Sequence, residues 1–453
     1  MHMPPRTNQA PIVPGTPRGQ VELLWSALDP GRWPLPPQAL PAGSALVGGA
    51  VRDGLLGRLA ERLDLDLVVP GDAIALSRDL ARRLGGSPVV LDGERSIARL
   101  VLRGWTVDLA RRMGPDLEAD LGRRDFSVNA MALTLDEPHQ LVDPHGGRAD
   151  LANRQLRALS EANLLDDPLR LLRGIRLASE LNFSIEPRTW DWIRSHHDRL
   201  RSVAGERVLA ELERIAATPS GERGLARARA AGLLPTRTDA MPSSALSRCS
   251  RAWAEQCGLS SEEQAWVLPL ARLAAVLDGA ELERLRASRR LQQRARGLRR
   301  WRRRLERLGP DQPPARAAGG PPGPHSDSAT ADHHGSLSLA GLDEGERLAL
   351  QRELEADLPA LLLQLEAVEA EAALRRWRDP RDPLFHPSTP LDGAVLLRAL
   401  ALKPGPALGR LLHHLTRERA FGRLPATAQD PSHDQQVLTC ARQWLALQGE
   451  RCD

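Results

Sequence analysis

The stretch ALVGGAVRDGLLGRLAERLDLDLVV, Ala45 to Val69, constrains what this chain can become more than any other. It reads as strand, Gly-Gly turn, short helix and second strand, with Asp64 and Asp66 one residue apart where that second strand begins. Residues i and i+2 of a strand project from one face, so the two carboxylates point together while Leu65 and Leu67 face a core. Neighbouring carboxylates repel unless a cation lies between them. Hard divalent ions such as Mg²⁺ favour such oxygen ligands and complete their shell with substrate phosphates. For a bare Asp-x-Asp, a pair of solvated charges at a strand end is the better reading. Gly48 and Gly49 alter that balance. They close a strand and open a helix, which exposes backbone N–H groups as a phosphate cradle, with Arg52 one turn on to add a charge-assisted bond. A dinucleotide-binding turn is excluded, because G-x-G-x-x-G is absent. The combination suits a site that holds a triphosphate beside two metal ions, as two-metal phosphoryl or nucleotidyl transfer requires.

Strand-like runs continue as SPVVLD, SIARLVLRG and WTVDLA, then almost vanish after Leu159, where Leu/Ala/Arg-rich periodic segments take over. The pattern predicts an α+β protein: a head with a mixed sheet and helices, then an all-helical neck, body and tail. The expected divisions are an N-terminal extension (1–42), the head (43–158), a neck (159–215), a basic body (216–308), a linker (309–336) and a tail (337–453). The linker is Pro/Gly/Ser-rich and cannot bury a core, so it is expected to be disordered. Just before it, Arg284 to Arg304 carries eleven arginines in twenty-one residues, with Trp301 among them. Such a run is either a solvated face in an arginine-biased chain or a phosphate-contacting surface, and on its own it decides neither.

That bias is general. Lys403 is the only lysine and there is no tyrosine, which reads as codon usage rather than function. A formal charge of +4 permits a polyanionic partner without requiring one. Cys249, Cys257, Cys440 and Cys452 lack the paired spacing of a zinc site, and their sparseness predicts a reducing, cytoplasmic location. The first twenty residues hold no apolar signal-like run, and no segment approaches the length of a membrane span.

A second chemical cluster lies in DDPLRLLRGIRLASELNF, Asp166 to Phe183. Asp167, Arg170, Arg173 and Arg176 recur every third residue, and Pro168 suits the first turn of a helix. Each step slips back by about 60° from a full turn, so the four form a curling stripe, while Leu172, Ile175 and Ser179 lie on another side, available for packing. Alone this is an ion-paired solvated face. Beside a nucleotide it becomes specific. A carboxylate accepts from the exocyclic amine of cytosine or adenine, and an arginine donates to the adjacent ring acceptor, whereas guanine and uracil present a carbonyl there. Asp108, in WTVDLA, is either a third carboxylate or a surface residue. His196, His197 and Asp198 invite comparison with metal-dependent phosphohydrolases, but the further ligands such a site needs are missing, and solvated helix residues are the better reading. His333 and His334 fall in the linker.

LVGGAVRDGLLG followed by DLD resembles the first motif of the class II tRNA nucleotidyltransferase and bacterial poly(A) polymerase family, which has polymerase-β-type heads. Four further motifs follow in the family's order: RRDFSVNAMAL (Arg123 to Leu133), DPHGGRADLANRQLR (Asp143 to Arg157), the Asp166–Phe183 segment, and GERVLAELERI (Gly205 to Ile215). LKPGPALGRLLHHL (Leu402 to Leu415) is a weaker match to the family's tail. Asp166 stands where the family usually has glutamate.

The resemblance implies an enzyme that adds C and A to the 3′ end of tRNA without a nucleic-acid template, using CTP and ATP and releasing pyrophosphate. It makes Asp64 and Asp66 the catalytic Mg²⁺ ligands. Gly49, Arg52 and Arg124 would hold triphosphate and sugar, Asp167 and Arg170 would read the base, and Arg173 and Arg176 would lie nearby. The helical body and tail would follow the tRNA acceptor arm by shape and charge. No basic signature of the poly(A) branch follows Asp-x-Asp, which sets that activity aside. The gap Met113 to Ala119 is shorter than the loop full CCA-adding members often carry, and resembles members that stop after CC. Full CCA addition is the first expectation as the commoner activity, followed by CC-only and then A-only addition. A non-catalytic RNA-binding homologue is disfavoured by the intact Asp64, Asp66, Arg124 and Asp167.

Overall fold

The structure is a computed structural model that describes residues 17–234, 243–308, 337–425 and 432–448. The expected linker, the first sixteen residues of the expected N-terminal extension, His333, His334 and Cys452 lie outside the described residues. The chain forms two compact units. One comprises Met1–Glu211 with Arg227–Leu234, the other Leu212–Ala226 with Pro235–Asp453.

The first unit is built on a seven-stranded sheet. Its strands are β1 (Ala45–Val47), β2 (Leu65–Val69), β3 (Ser87–Asp92), β4 (Ile97–Leu102), β5 (Trp105–Arg111), β6 (Ala132–Thr134) and β7 (Leu141–Val142). Their order is β3-β4-β5-β2-β1-β6-β7. Strands β2 and β5 run parallel, and the remaining neighbours are antiparallel. Strand β2 is buried on both faces. Leu65 and Leu67 fill one side as expected, and Val68, on the side of Asp66, packs into a second cluster with Ala45, Val47, Leu121, Ala130 and Ala132. Asp66 therefore sits where that apolar layer ends.

The helices of this unit are α1 (Pro17–Leu28), α2 (Gly49–Leu55), α3 (Ala73–Leu84), α4 (Leu117–Leu121), α5 (Gly147–Ala152), α6 (Glu161–Asp166), α7 (Leu169–Leu181) and α8 (Pro187–Ser195). A ninth, α9 (Gly205–Ala217), begins here. Leu172, Ile175 and Ser179 of α7 are buried, as their spacing predicts. The all-helical neck needs one correction, because Ser184–Ile185 forms a strand, β9, parallel to β8 (Gln155–Leu156). Asn182 adopts the left-handed conformation that ends α7 and turns the chain, Phe183 plugs into the core, and the Ser184 N–H donates to the Arg154 carbonyl. A two-residue strand is too short to leave a periodic signal.

The second unit, among the described residues, is helical apart from a single bridge between Leu337 and Leu365. Its longest helix, Arg289–Glu306, carries most of the arginine run. Ala295, Leu298, Trp301 and Leu305 form its buried stripe, at the three- and four-residue spacing of one helix face. Many of its arginines are tied to acids: Arg294 to Asp357 at 2.6 Å, Arg304 to Glu346 at 2.6 Å, Arg302 to Glu306, and Arg300 to Glu353. Arg294, Arg300 and Arg304 tie this helix to its neighbours and Arg302 pairs within it, while Arg289, Arg290, Arg296 and Arg303 stay exposed. No helix among the described residues is long and apolar enough to cross a membrane.

Candidate active site

The site begins where β1 ends. Gly48 has φ +73°, a backbone that a side chain would strain, and it caps α2. A Cβ placed there would lie 3.3 Å from Asp66 Oδ2 and 3.5 Å from Arg124 Nη1. The bare glycine thus leaves room for an acid and an arginine beside the turn.

Asp66 lies on β2, and Asp64 immediately precedes that strand. Across the parallel pair, Asp66 is the register partner of Asp108 on β5, so the residue left open by sequence joins the acid group. Burial pushes the Asp66 carboxyl up to about 6. The like charges of Asp108 and Asp64 add to the rise, while Arg124 and Arg173 oppose it. Hard carboxylate oxygens crowded until one holds its proton abnormally tightly fit a divalent cation, with Asp64 and Asp66 as its ligands. Among the described residues no three His, Cys, Asp or Glu side chains already converge on one point. Asp108 is instead gripped by Arg99, whose Nε and Nη2 donate to its two oxygens at 2.8 and 2.9 Å.

The arginines come from three elements. Arg52 of α2 is buried and donates from Nη1 to Asn129 Oδ1 at 2.7 Å, and from Nε and Nη2 to Asp53. Arg124 contacts Asp120 at 3.5 Å, and its buried Nε has no hydrogen-bond partner. A buried, unsatisfied guanidinium N–H is costly, and an anion is the natural complement. Asp125 is buried, which alone would raise its pKa. The Arg173 guanidinium, the Asn129 amide and the Phe126 N–H nevertheless hold its carboxyl below the usual range. Arg52, Asn129, Asp125 and Arg173 thus form one polar chain from the glycine turn to α7.

Two adjoining clefts result. One, of about 300 Å³, is lined by Gly48, Gly49, Arg52, Asp64, Asp66, Arg124, Arg173 and Arg176 among others. The second, of about 250 Å³, shares Arg124 and Arg173 and adds Arg95, Arg111, Arg123 and Arg170. Eight of the nine site residues expected from sequence therefore line these two spaces, and Asp167 is absent from both linings.

The expected stripe on one helix is broken at its first member. Helix α6 ends at Asp166 and α7 starts at Leu169, leaving Asp167 extended between them. Pro168 has no N–H and disfavours helical backbone in the residue before it, which explains the break. Asp167 Oδ1 accepts from the Leu169 N–H at 3.2 Å, and Oδ2 accepts from Arg207 at 2.8 Å. Arg170 donates to the carbonyls of Asn163 and Arg123, so Asp167 and Arg170 do not pair with each other. Arg176 is tied to Glu211 and Glu180. Away from the clefts, His196 pairs with Glu161 and His197 with the Arg194 carbonyl, neither in a metal cluster.

Sequence reasoning passed over Arg99, Asn129 and Arg207, while Asp125 is the aspartate that the RRDFSVNAMAL resemblance sets near the nucleotide sugar and phosphates. Asn129 carried a usable signal: it stands four residues after Asp125, interleaved with Phe126, Val128 and Ala130, all fully buried. Arg99 and Arg207 were single arginines among many.

A strand-borne acid group beside a glycine turn, walled by arginines, defines a nucleotide-handling head of the polymerase-β type. The family described as the poly(A) polymerase head domain matches residues 44–157, and one described as a probable RNA and SrmB binding site of polymerase A matches residues 182–236. The CC-adding tRNA nucleotidyltransferase of Synechocystis sp. is 46% identical over 200 residues, 44% of this chain and 47% of that protein. The A-adding tRNA nucleotidyltransferase of Deinococcus radiodurans is 44% identical over 208 residues, 45% of this chain and 46% of that one. The chain thus spans about half the length of these relatives. The fold is that of a Thermotoga maritima CCA-adding enzyme complexed with tRNA, at TM-score 0.67 and 22% identity, over 94% of this chain and 98% of the other. Residues 44–157 and 182–236 thus match two poly(A) polymerase family models, and the chain is similar to tRNA nucleotidyltransferases over its N-terminal half.

Proposed function

We propose that this chain transfers nucleotides from CTP to the 3′ end of tRNA without a nucleic-acid template, releasing pyrophosphate. The observation that carries the general reaction is the acid group of Asp64, Asp66 and Asp108 set beside Arg124, whose buried Nε lacks a partner. When bound, a divalent ion such as Mg²⁺ would neutralise the triphosphate and lower the cost of forming the attacking alkoxide. Asp64 and Asp66 would hold that ion. The N–H groups at Gly48 and Gly49, with Arg52 and Arg124, would receive the phosphates and orient the α-phosphate for in-line attack by the tRNA 3′-hydroxyl. The Arg173–Asp125–Asn129–Arg52 chain would keep the sugar and phosphate subsites in register. Asp167 would accept from the exocyclic amine of the base and Arg170 would donate to the neighbouring ring acceptor, once each exchanges its present partners for the nucleotide.

Stopping after two cytidines is favoured by one feature. Strand β5 ends at Arg111 and α4 begins at Leu117, so only Arg112 to Asp116 connect them. The longer loop that full CCA-adding members use in switching to adenosine has no room there. Similarity does not decide the point, since CC-adding and A-adding relatives are about equally alike to this chain. Full CCA addition, first in expectation from sequence, is the second reading, supported by the Asp167–Arg170 chemistry, which suits adenine as well as cytosine.

The test is the length of the product. A tRNA ending at its discriminator base is incubated with the protein, Mg²⁺, and CTP, ATP or both. Growth by two nucleotides with CTP, and by no more when ATP is added, is expected. Growth by three with both supports the second reading, and growth only of CC-ended tRNA by ATP means A-only addition. No growth, with an Asp64→Ala/Asp66→Ala chain behaving identically, overturns the enzymatic proposal.

A further inference from the structure

Arg99 has no role in the chemistry above, yet it lies in the same row as the acids. It sits on β4 as the register partner of Asp108 on β5, and Asp108 is in turn the register partner of Asp66 on β2. In-register partners project from one face of a sheet, so Arg99, Asp108 and Asp66 stand side by side. The guanidinium closes a two-pronged bond on Asp108 and also feels the charges of Asp64 and Asp66. At the other end of the row Arg124 approaches Asp66 beside Gly48. Asp108, which by position completes the acid group, is thus held by an arginine instead.

The pair is poised to open. Arg99 is 44% exposed and Asp108 26%, and ion pairs this accessible to water contribute little to stability. A hard divalent ion attracts a carboxylate far more strongly than a half-solvated guanidinium does. Resting on the nucleotidyl-transfer reading, we propose that Arg99 is a positioning residue that competes with the divalent cation for Asp108. It holds the third carboxylate away from Asp64 and Asp66 in the nucleotide-free protein and releases it when the ion arrives. The acid group is then kept partly neutralised while empty, and ion affinity is tuned downward so that tight binding awaits the triphosphate.

The test is Mn²⁺ binding to the full nucleotide-free chain, read as loss of the free-ion electron paramagnetic resonance signal. Arg99→Met keeps the apolar stem and removes the charge. It should tighten Mn²⁺ binding on the order of tenfold, the effect of one nearby unit charge at high effective dielectric. Arg99→Lys, a charge without the fork, should fall between. Adding Asp108→Asn to Arg99→Met should cancel most of the gain, because the released carboxylate is its source. Unchanged or weaker binding in Arg99→Met overturns the proposal, as does a gain that Asp108→Asn does not reverse. Circular dichroism melts identify a variant that fails to fold, and Arg99→Lys then carries the same comparison. The functional reading fails separately, through absence of tRNA extension. If Asp64→Ala/Asp66→Ala binds Mn²⁺ as wild type does, the ion is not held by this acid group, and the proposal for Arg99 falls.

Discussion

Arginine does different work in the two units. In the helical unit Arg272 is almost fully buried with its donors spent: Nε on the Cys249 carbonyl, Nη1 on those of Ala216 and Thr218, and Nη2 on Glu222 and the Pro219 carbonyl. In the head Arg124 is only partly buried, with one loose contact to Asp120 and a buried guanidinium Nε without a partner. The first arrangement is a completed structural joint. The second is a group waiting for an anion. Residue type is the same, but Arg272 is 1% exposed and Arg124 24%, so satisfied donors together with access to solvent separate the structural from the functional arginine.

The contrast predicts effects of very different kinds. Asp66→Asn should reduce tRNA extension by about 10³-fold, the scale of losing a group that stabilises transition-state charge. It should leave the thermal midpoint equal or raised, because a buried, repelled carboxylate is removed. A fall in midpoint without loss of extension would make Asp66 structural. Arg124→Met should cost about 10²-fold in kcat/KM for CTP with little change in stability. Its counterpart Arg272→Met should cost about 3–5 kcal/mol in urea unfolding, because Glu222 and several carbonyls lose their donor. If the two exchange roles, the donor-satisfaction criterion is wrong.

Asp125 lies between these extremes, since it is both buried and paired. Its lowered pKa means that its contribution is fully present above the ordinary carboxylate range and is lost as pH falls through the native value. Wild-type urea midpoints should therefore hold down to about pH 4 and then drop. Asp125→Asn should be less stable at neutral pH and show a shallower acid loss. Parallel curves would deny Asp125 its charge-paired role. The smallest effect is expected at Arg294→Ala in the helix Arg289–Glu306, a loss of about 1 kcal/mol with unchanged KM for CTP, as befits a partly exposed pair with Asp357.

Much of the head was legible because its signals are local. Gly48–Gly49, the Asp64/Asp66 spacing and the strand-like runs each depend on a few adjacent residues, and the sheet brings them together as expected. Asp108 could not be resolved that way, because its meaning comes from register with Asp66 across a parallel pair, a contact between residues forty-two positions apart. Asp167 was misread as helical, although Pro168, printed beside it, carries the steric reason for the break. The arginine run was undecidable from composition. What sorts it is which residues face Asp357, Glu353 and Glu346 on other helices, information that no window of sequence contains.

Base choice tests the central claim most directly. Four α-labelled nucleoside triphosphates are offered separately to the wild-type chain and to Asp167→Ala, with tRNA ending at its discriminator base. Wild type should incorporate label from CTP and exclude UTP and GTP, while Asp167→Ala, with Asp64 and Asp66 intact, should lose that preference. Equal incorporation of CTP and UTP by wild type, or a preference untouched by Asp167→Ala, would contradict a head that reads its nucleotide with protein side chains.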